Sequence, residues 1–236
     1  MSNTSSNTNA VDLTKLFSRN FELQNINDGT ITDITFDQSA VGDVGCVVWD
    51  AALVLCSYID KIRNVVQNKS ALELGSGTGA VGIVTAALGA RVIITDLPEI
   101  VPFMNHNIQL NQKVLKGSCS ALELRWGNKE QMSKVKQIHF SEGVDFLLVA
   151  DCVYYEEALE DLVDTIVYFA SPETIVLCSY EDRELGNKSE LQCKFFKKLS
   201  EHFTITEIPI EKQDPLYSSP DIHIMEMTLS HQNNKT

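Results

Sequence analysis

No two of the six cysteines (Cys46, Cys56, Cys119, Cys152, Cys178 and Cys193) are spaced C-x-x-C. That absence argues against a zinc knuckle or a dithiol redox centre, and suits reduced, buried thiols in a cytosolic or nuclear protein. The five histidines (His106, His139, His202, His223 and His231) show no metal-ligand spacing either, so no metal site is expected. Basic residues are scarce, with 19 Lys and Arg against 32 Asp and Glu and a formal net charge of −13. Duplex nucleic acid carries about one negative charge per 1.7 Å, so a chain this acidic is unsuited to general phosphate binding. Its field favours cationic partners instead, including lysine-bearing segments of other proteins. Long hydrophobic runs are missing too. VDFLLVA and TIVLC fall far short of the ~20 residues that span a bilayer. The start, MSNTSSNTNAVD, has neither a basic nor an apolar stretch and reads as a polar tail rather than a secretory signal.

What is present is an alternation of short apolar strands and helical stretches. The chain has 236 residues, 44% of them hydrophobic, enough for one sizeable core. The expected organisation is a disordered tail over 1–20, a single domain over 21–229 and a polar tail over 230–236. FELQNI and TITDITF flank Asn27-Asp28-Gly29, a pair of strands about a tight turn. A helix is expected over 50–66, with Asp50 as its cap. Strands are then predicted at 71–74, 91–95, 120–125, 144–150 and 173–178, with helices near 79–89, 98–111, 156–170 and 188–201. FTITEIPI and DIHIMEMTL follow with only a ten-residue loop between them, which suits an antiparallel edge. The fold class is α/β, a doubly wound, seven-strand, mainly parallel sheet with an antiparallel edge and an N-terminal hairpin.

The segment ALELGSGTGAVG leaves a strand through Gly75, Ser76, Gly77 and Gly79 and enters a helix carrying Gly82. Glycines serve where a backbone must turn tightly beneath a ligand. Asp96 closes the next strand, 19 residues after Gly77, where an acid binds ribose hydroxyls. The motif alone does not choose among nucleotide cofactors. Glu73, placed at the mouth of the loop, would repel a pyrophosphate and suits S-adenosyl-L-methionine, which carries an ammonium and a sulfonium but no phosphate. The other reading of Glu73 is a strand-end charge facing water. No G-x-x-x-x-G-K-[ST] is present. Trp126, expected to end the third strand, offers a stacking surface for adenine, and Trp49 precedes the first long helix on the other side. Both are also ordinary core fillers. Asp151 and Tyr154, in VDFLLVADCVYYEE, lie just beyond the fourth strand, where Asp151 either meets a substrate amine or caps the next helix.

GCVVWDAA, LELGSGTGAVG, ITDL, LRWG and ADCVYYEE, in this order, resemble the seven-strand protein-lysine methyltransferases of the methyltransferase-like group. CSYEDRE, IPIEKQD and DIHI extend the likeness, which covers residues 21–228. The resemblance implies an S-adenosyl-L-methionine site formed by Trp49, Gly75, Ser76, Gly77, Asp96, Trp126 and Ala150, with Glu73 at the methionine end. It implies that Asp151 and Tyr154 form the D-x-x-Y motif beside a target lysine. It further implies a cytoplasmic enzyme acting on valosin-containing protein, a hexameric ATPase, with trimethylation as the outcome. A monomer is the default expectation. Val41-Gly42-Asp43-Val44 departs from the small residues usual before Gly45, which leaves the entry loop's shape open. The glycine loop does not identify the acceptor. A small-molecule methyltransferase and a non-catalytic cofactor-binding protein remain the alternatives, and Cys152 and Val153 stand where adenine methyltransferases carry prolines.

Overall fold

The computed structural model describes residues 15–24, 29–40, 44–183 and 188–230. Strand β1 (Leu16–Gln24) pairs antiparallel with β2 (Ile31–Ser39). Strand β1 thus takes in residues 16–20, which the sequence reading assigns to the tail. Residues 25–28 of the expected turn lie outside the described residues. A single helical turn (Val44–Cys46) leads to α1 (Asp50–Lys61) and the short α2 (Arg63–Val66), so the helix expected over 50–66 breaks at Ile62. Asp50 is not its cap. Trp49 occupies the N-cap, and Asp50 lies in the first turn, where it pairs with Arg19 at 2.7 Å.

The rest alternates: β3 (Ser70–Leu74), α3 (Ala80–Ala87), β4 (Arg91–Asp96), α4 (Val101–Asn111), β5 (Ser118–Glu123), α5 (Lys129–His139), β6 (Phe146–Ala150), α6 (Leu159–Phe169), β7 (Ile175–Glu181), α7 (Lys188–Leu199), β8 (Phe203–Glu207) and β9 (Ile222–Leu229). The sheet order is β5-β4-β3-β6-β7-β9-β8. The first five strands in that order run parallel, and β9 pairs antiparallel with both β7 and β8. This is the expected doubly wound, seven-strand sheet with an antiparallel edge. Helix α5 has no counterpart in the sequence reading. Its signal is Asn128, whose side chain accepts a hydrogen bond from Gln131 N at the helix start, with Met132 and Val135 buried on one face.

Two apolar layers cover the sheet. One face meets α1, α3, α4 and the hairpin, through Phe21, Ile34, Phe36 and Ile83 among others. The other meets α5, α6 and α7, through Leu72, Leu74, Phe169 and Phe195. The hairpin is fastened by hydrogen bonds as well as by packing. On α4, Asn111 accepts from Thr35 N (2.9 Å) and donates to Thr35 O (2.7 Å), and Asn107 accepts from Asp37 N (2.9 Å). These side-chain amides take up backbone groups that the edge strand β2 would otherwise leave unpaired. Asn107 also donates to Thr78 O at 2.9 Å, linking the hairpin to the glycine loop.

Strand order reverses between β3 and β6, and the crevice beyond their carboxyl ends is where open α/β sheets bind ligands. Among the described residues no helix is long and apolar enough to cross a membrane. Among them, too, no group of three or more His, Cys, Asp or Glu could hold a metal ion.

Candidate active site

β3 ends at Leu74 and the chain turns at once through Gly75 (φ +63°) and Gly77 (φ +52°). Space is as restrictive here as backbone angle. A Cβ on Gly75 would lie 2.7 Å from Trp126 Cζ2 and 2.8 Å from Cys152 Sγ, and one on Gly77 only 2.5 Å from Gly45 O. The loop is pinned to β4 by polar contacts: Thr95 N donates to Ser76 Oγ (3.0 Å) and Gly77 N to Asp96 Oδ2 (2.7 Å). Leu97 N donates to Asp96 Oδ1 at 2.7 Å, so both oxygens of Asp96 already hold backbone. A carboxylate oxygen has two acceptor positions, so Asp96 keeps acceptor capacity for a further donor.

Glu73 is not at the mouth of the loop. Alternation along β3 places Leu72 and Leu74 on the α6 side and Glu73 on the α3 side, where it is 2% exposed. Its Oε2 accepts from Gly82 N at 2.8 Å, and Gly82 leaves room for it, since a Cβ there would meet Glu73 Oε2 at 2.7 Å. Burial pushes its pKa up to about 8, with Asp96 adding to the rise and the Gly82 N–H and Ser76 opposing it. The reading in which the carboxyl faces water is excluded by this burial. The repulsive charge inferred from sequence is also largely neutralised at pH 7 in the unliganded protein.

Two adjoining cavities open over this loop, and both are walled by Gly75, Asp96, Leu97 and Tyr154. The first, about 60 Å³, is also lined by Trp49, Glu73, Ser76, Gly77, Ala150 and Asp151. The second, about 320 Å³, is bordered by Leu124, Trp126 and Tyr155. Trp126 lies three residues beyond the end of β5 rather than closing it, and borders only the second cavity. Trp49 is 40% exposed, with its Nε1 donating to Val44 O at 3.0 Å. The ten residues singled out in the sequence thus converge on one crevice, divided between its two chambers.

Asp151 follows β6 at φ +54°, a left-handed conformation that aspartate tolerates better than most residues. Its amide donates to Ser179 O on β7 (2.8 Å), so it is fixed by the sheet and does not cap a helix. Cys152 Sγ donates to Leu74 O and Ala150 O, both at 3.3 Å. Burial, with Cys178 and nearby acids, raises its thiol well above the ordinary range, so this cysteine ties strand ends together and is no nucleophile. The sequence reading missed Arg183, whose guanidinium grips both oxygens of Asp151 at 3.1 and 2.6 Å.

The first chamber suits a cationic ligand. Its described lining includes the carboxyl groups of Asp96 and Asp151, the latter paired with Arg183, and no Lys or Arg; Glu73, also on that lining, is buried and largely neutral at pH 7. That donor set fits S-adenosyl-L-methionine, with its ammonium and sulfonium, better than a pyrophosphate cofactor. Fold and site together define a methyltransferase that uses S-adenosyl-L-methionine. The comparisons agree. A lysine methyltransferase family model matches residues 29–202. Protein N-lysine methyltransferase METTL21A of Xenopus tropicalis is 36% identical over 187 residues, covering 79% of this chain and 78% of that one. EEF1A lysine methyltransferase 3 of Xenopus tropicalis is 34% identical over 156 residues, 66% of each chain. Among solved structures, the T. thermophilus 16S rRNA N2 G1207 methyltransferase, in complex with AdoMet and guanosine, superposes with a TM-score of 0.57. At 16% identity, covering 90% of this chain and 51% of that one, it attests the fold. The chain belongs to the lysine methyltransferase family, and its activity is that of a protein-lysine N-methyltransferase.

Glu73 supplies a prediction without substrate. In the unfolded chain its carboxyl ionises near 4.5, in the folded chain near 8. Between those values the folded state holds a proton that the unfolded state lacks. The stabilisation is complete below 4.5 and lost as pH rises towards 8. Urea unfolding of the unliganded protein should show a loss of roughly 2 kcal/mol between pH 6 and pH 8. Glu73→Gln, whose amide oxygen still accepts from Gly82 N, should flatten that slope. Equal slopes in the two proteins would remove Glu73 as its source.

Proposed function

We propose that this enzyme methylates a lysine of valosin-containing protein as a cytoplasmic monomer, carrying the ε-amine to the trimethylated state. The observation that carries the lysine-binding reading is the place of Asp151 and Tyr154. They follow the central strand β6 at the point of sheet reversal, on the wall of the chamber that suits the methyl donor. The choice of acceptor rests on the segments CSYEDRE, IPIEKQD and DIHI and on the net charge of −13. We assign Trp49, Glu73, Gly75, Ser76, Gly77, Asp96 and Ala150 to the donor, with Trp126 in the adjoining chamber against adenine.

Bound S-adenosyl-L-methionine supplies an electrophilic methyl group on its sulfonium. A lysine amine with a reference pKa of ~10.4 is mostly protonated at neutral pH and must lose its proton to solvent before attack. Partial desolvation beside a positive charge eases that loss. Asp151 then orients the neutral amine by accepting a hydrogen bond, and the Tyr154 side wall restricts its approach, so alignment accounts for most of the rate.

The test is transfer of labelled methyl from S-adenosyl-L-methionine to purified valosin-containing protein, with mass analysis of the modified lysine. Three added methyl groups on one lysine support the full reading. A second reading, methylation of EEF1A, is favoured by the 34% identity to a relative named for that substrate, so purified EEF1A belongs in the same assay. Label on EEF1A alone would replace the first acceptor. Asp96→Ala should weaken donor affinity about tenfold, equivalent to about 1.4 kcal/mol, by calorimetric titration. Unchanged affinity would remove Asp96 from the donor site.

A further inference from the structure

The pairing of Asp151 raises a question that the donor site does not answer. A carboxylate meant to receive a lysine amine is already gripped by a cation. Arg183 Nη1 and Nη2 donate to its two oxygens at 3.1 and 2.6 Å, and the Asp151 side chain is only 6% exposed. Arg183 Nη2 also donates to Glu181 Oε2 at 2.7 Å, and the guanidinium lies 5.0 Å from the centre of the Trp49 ring. The cluster thus joins the N-cap of α1, the end of β6 and the end of β7. Two carboxylates share one guanidinium.

We propose that Arg183 is a positioning residue for methyl transfer: it fixes the Asp151 carboxylate and keeps the acceptor amine from being held as an unreactive ammonium. The inference rests on the reading of Asp151 as the amine's partner. The electrostatic argument is direct. An ammonium has no lone pair with which to attack. An amine arriving beside Asp151 with no arginine present would meet an uncompensated carboxylate and keep its proton. With Arg183 in place, that charge is offset at contact distance, and the carboxylate still has acceptor positions for a neutral amine. Among the described residues, the other charged or titratable groups near the cluster are Cys152 and Cys178 beside Asp151, Arg19 and Asp50 on the cavity that Glu181 lines, Glu73, Asp96 and Tyr154 on the chamber, and Lys188 on α7, whose Nζ donates to Tyr154 O at 2.8 Å. None of them makes a second bidentate contact to Asp151 in the structure.

The experiment compares wild type, Arg183→Ala, Arg183→Lys and Asp151→Asn across pH 6.5–10, on whichever acceptor protein the wild type methylates. Donor affinity is measured alongside as a check on folding. Arg183→Ala is expected to lower kcat at least tenfold at neutral pH. It should also move the rising acid limb of the kcat profile upward by about one pH unit. Arg183→Lys keeps a positive charge but loses the two-pronged grip, so it should hold the limb near its wild-type position while recovering only part of kcat. Donor affinity should be retained in both. A limb that does not move in Arg183→Ala would overturn the inference, leaving Arg183 a structural tie. So would a rise in kcat/KM, which would make Arg183 a plug that the lysine must displace. Full turnover by Asp151→Asn would sink the parent reading. An inactive Asp151→Asn beside an unaffected Arg183→Ala would sink this one alone.

Discussion

Asp151→Asn is expected to lower turnover by about 10² or more while leaving donor affinity within about threefold of wild type. Asparagine tolerates the φ of +54° found here, so the backbone at the end of β6 should hold. Its amide is nearly the shape of the carboxyl it replaces. What it loses is the charge that Arg183 grips and the symmetric acceptor that orients an amine. Asp151→Ala should be as inactive and less stable, because alanine in a left-handed conformation adds strain of order 1 kcal/mol. Single-turnover methyl transfer beside calorimetric donor binding separates the two quantities. A variant that binds the donor and turns over at the wild-type rate would remove Asp151 from the acceptor site. A joint loss of binding and turnover would mean that Asp151 mainly supports the loop.

The second large effect is expected at Gly77→Ala. Two penalties coincide at this position: a φ of +52° and a Cβ that would stand 2.5 Å from the backbone oxygen of Gly45. A flexible side chain could yield to such a contact, whereas a backbone carbonyl yields only if the turn over Val44–Cys46 moves. Overpacking and strain together should cost about 2–4 kcal/mol of stability. Because that turn and the glycine loop both line the donor chamber and touch each other, donor affinity should fall more than tenfold. Thermal melting and donor titration read the two losses independently. Lower stability with unaltered affinity would show that the turn adjusts without disturbing the chamber.

Much of the site was legible before the fold because its signals are local. Strand, glycine turn and helix are consecutive from Leu72 to Ala87, and the acid at Asp96 follows at the end of the next strand. Asp151 and Tyr154 come directly after an apolar run. Such features depend on a few neighbouring residues, and parallel α/β topology then carries each strand's end to the same edge. Helix α5 leaves little trace in the sequence because its apolar stripe is thin, only Met132 and Val135 being buried. The burial of Glu73 is illegible for a different reason. Period-two alternation in β3 was available in the sequence, but only the packed helix α3 shows that the face it chooses is covered by Gly82.

Sequence alone determined the order of the strands, the turn that approaches the donor, and the set of acids available to meet a cation. These follow from backbone preference and side-chain period, which act over a few residues. Tertiary structure decided what holds each of those acids. Asp96 is held by its own loop, Glu73 is sealed beneath a helix, and Asp151 is gripped by an arginine 32 residues away. The protonation and reach of a carboxyl group depend on what surrounds it within a few ångströms. Neighbours at that distance come from strands and helices far apart in the chain, and only packing brings them together.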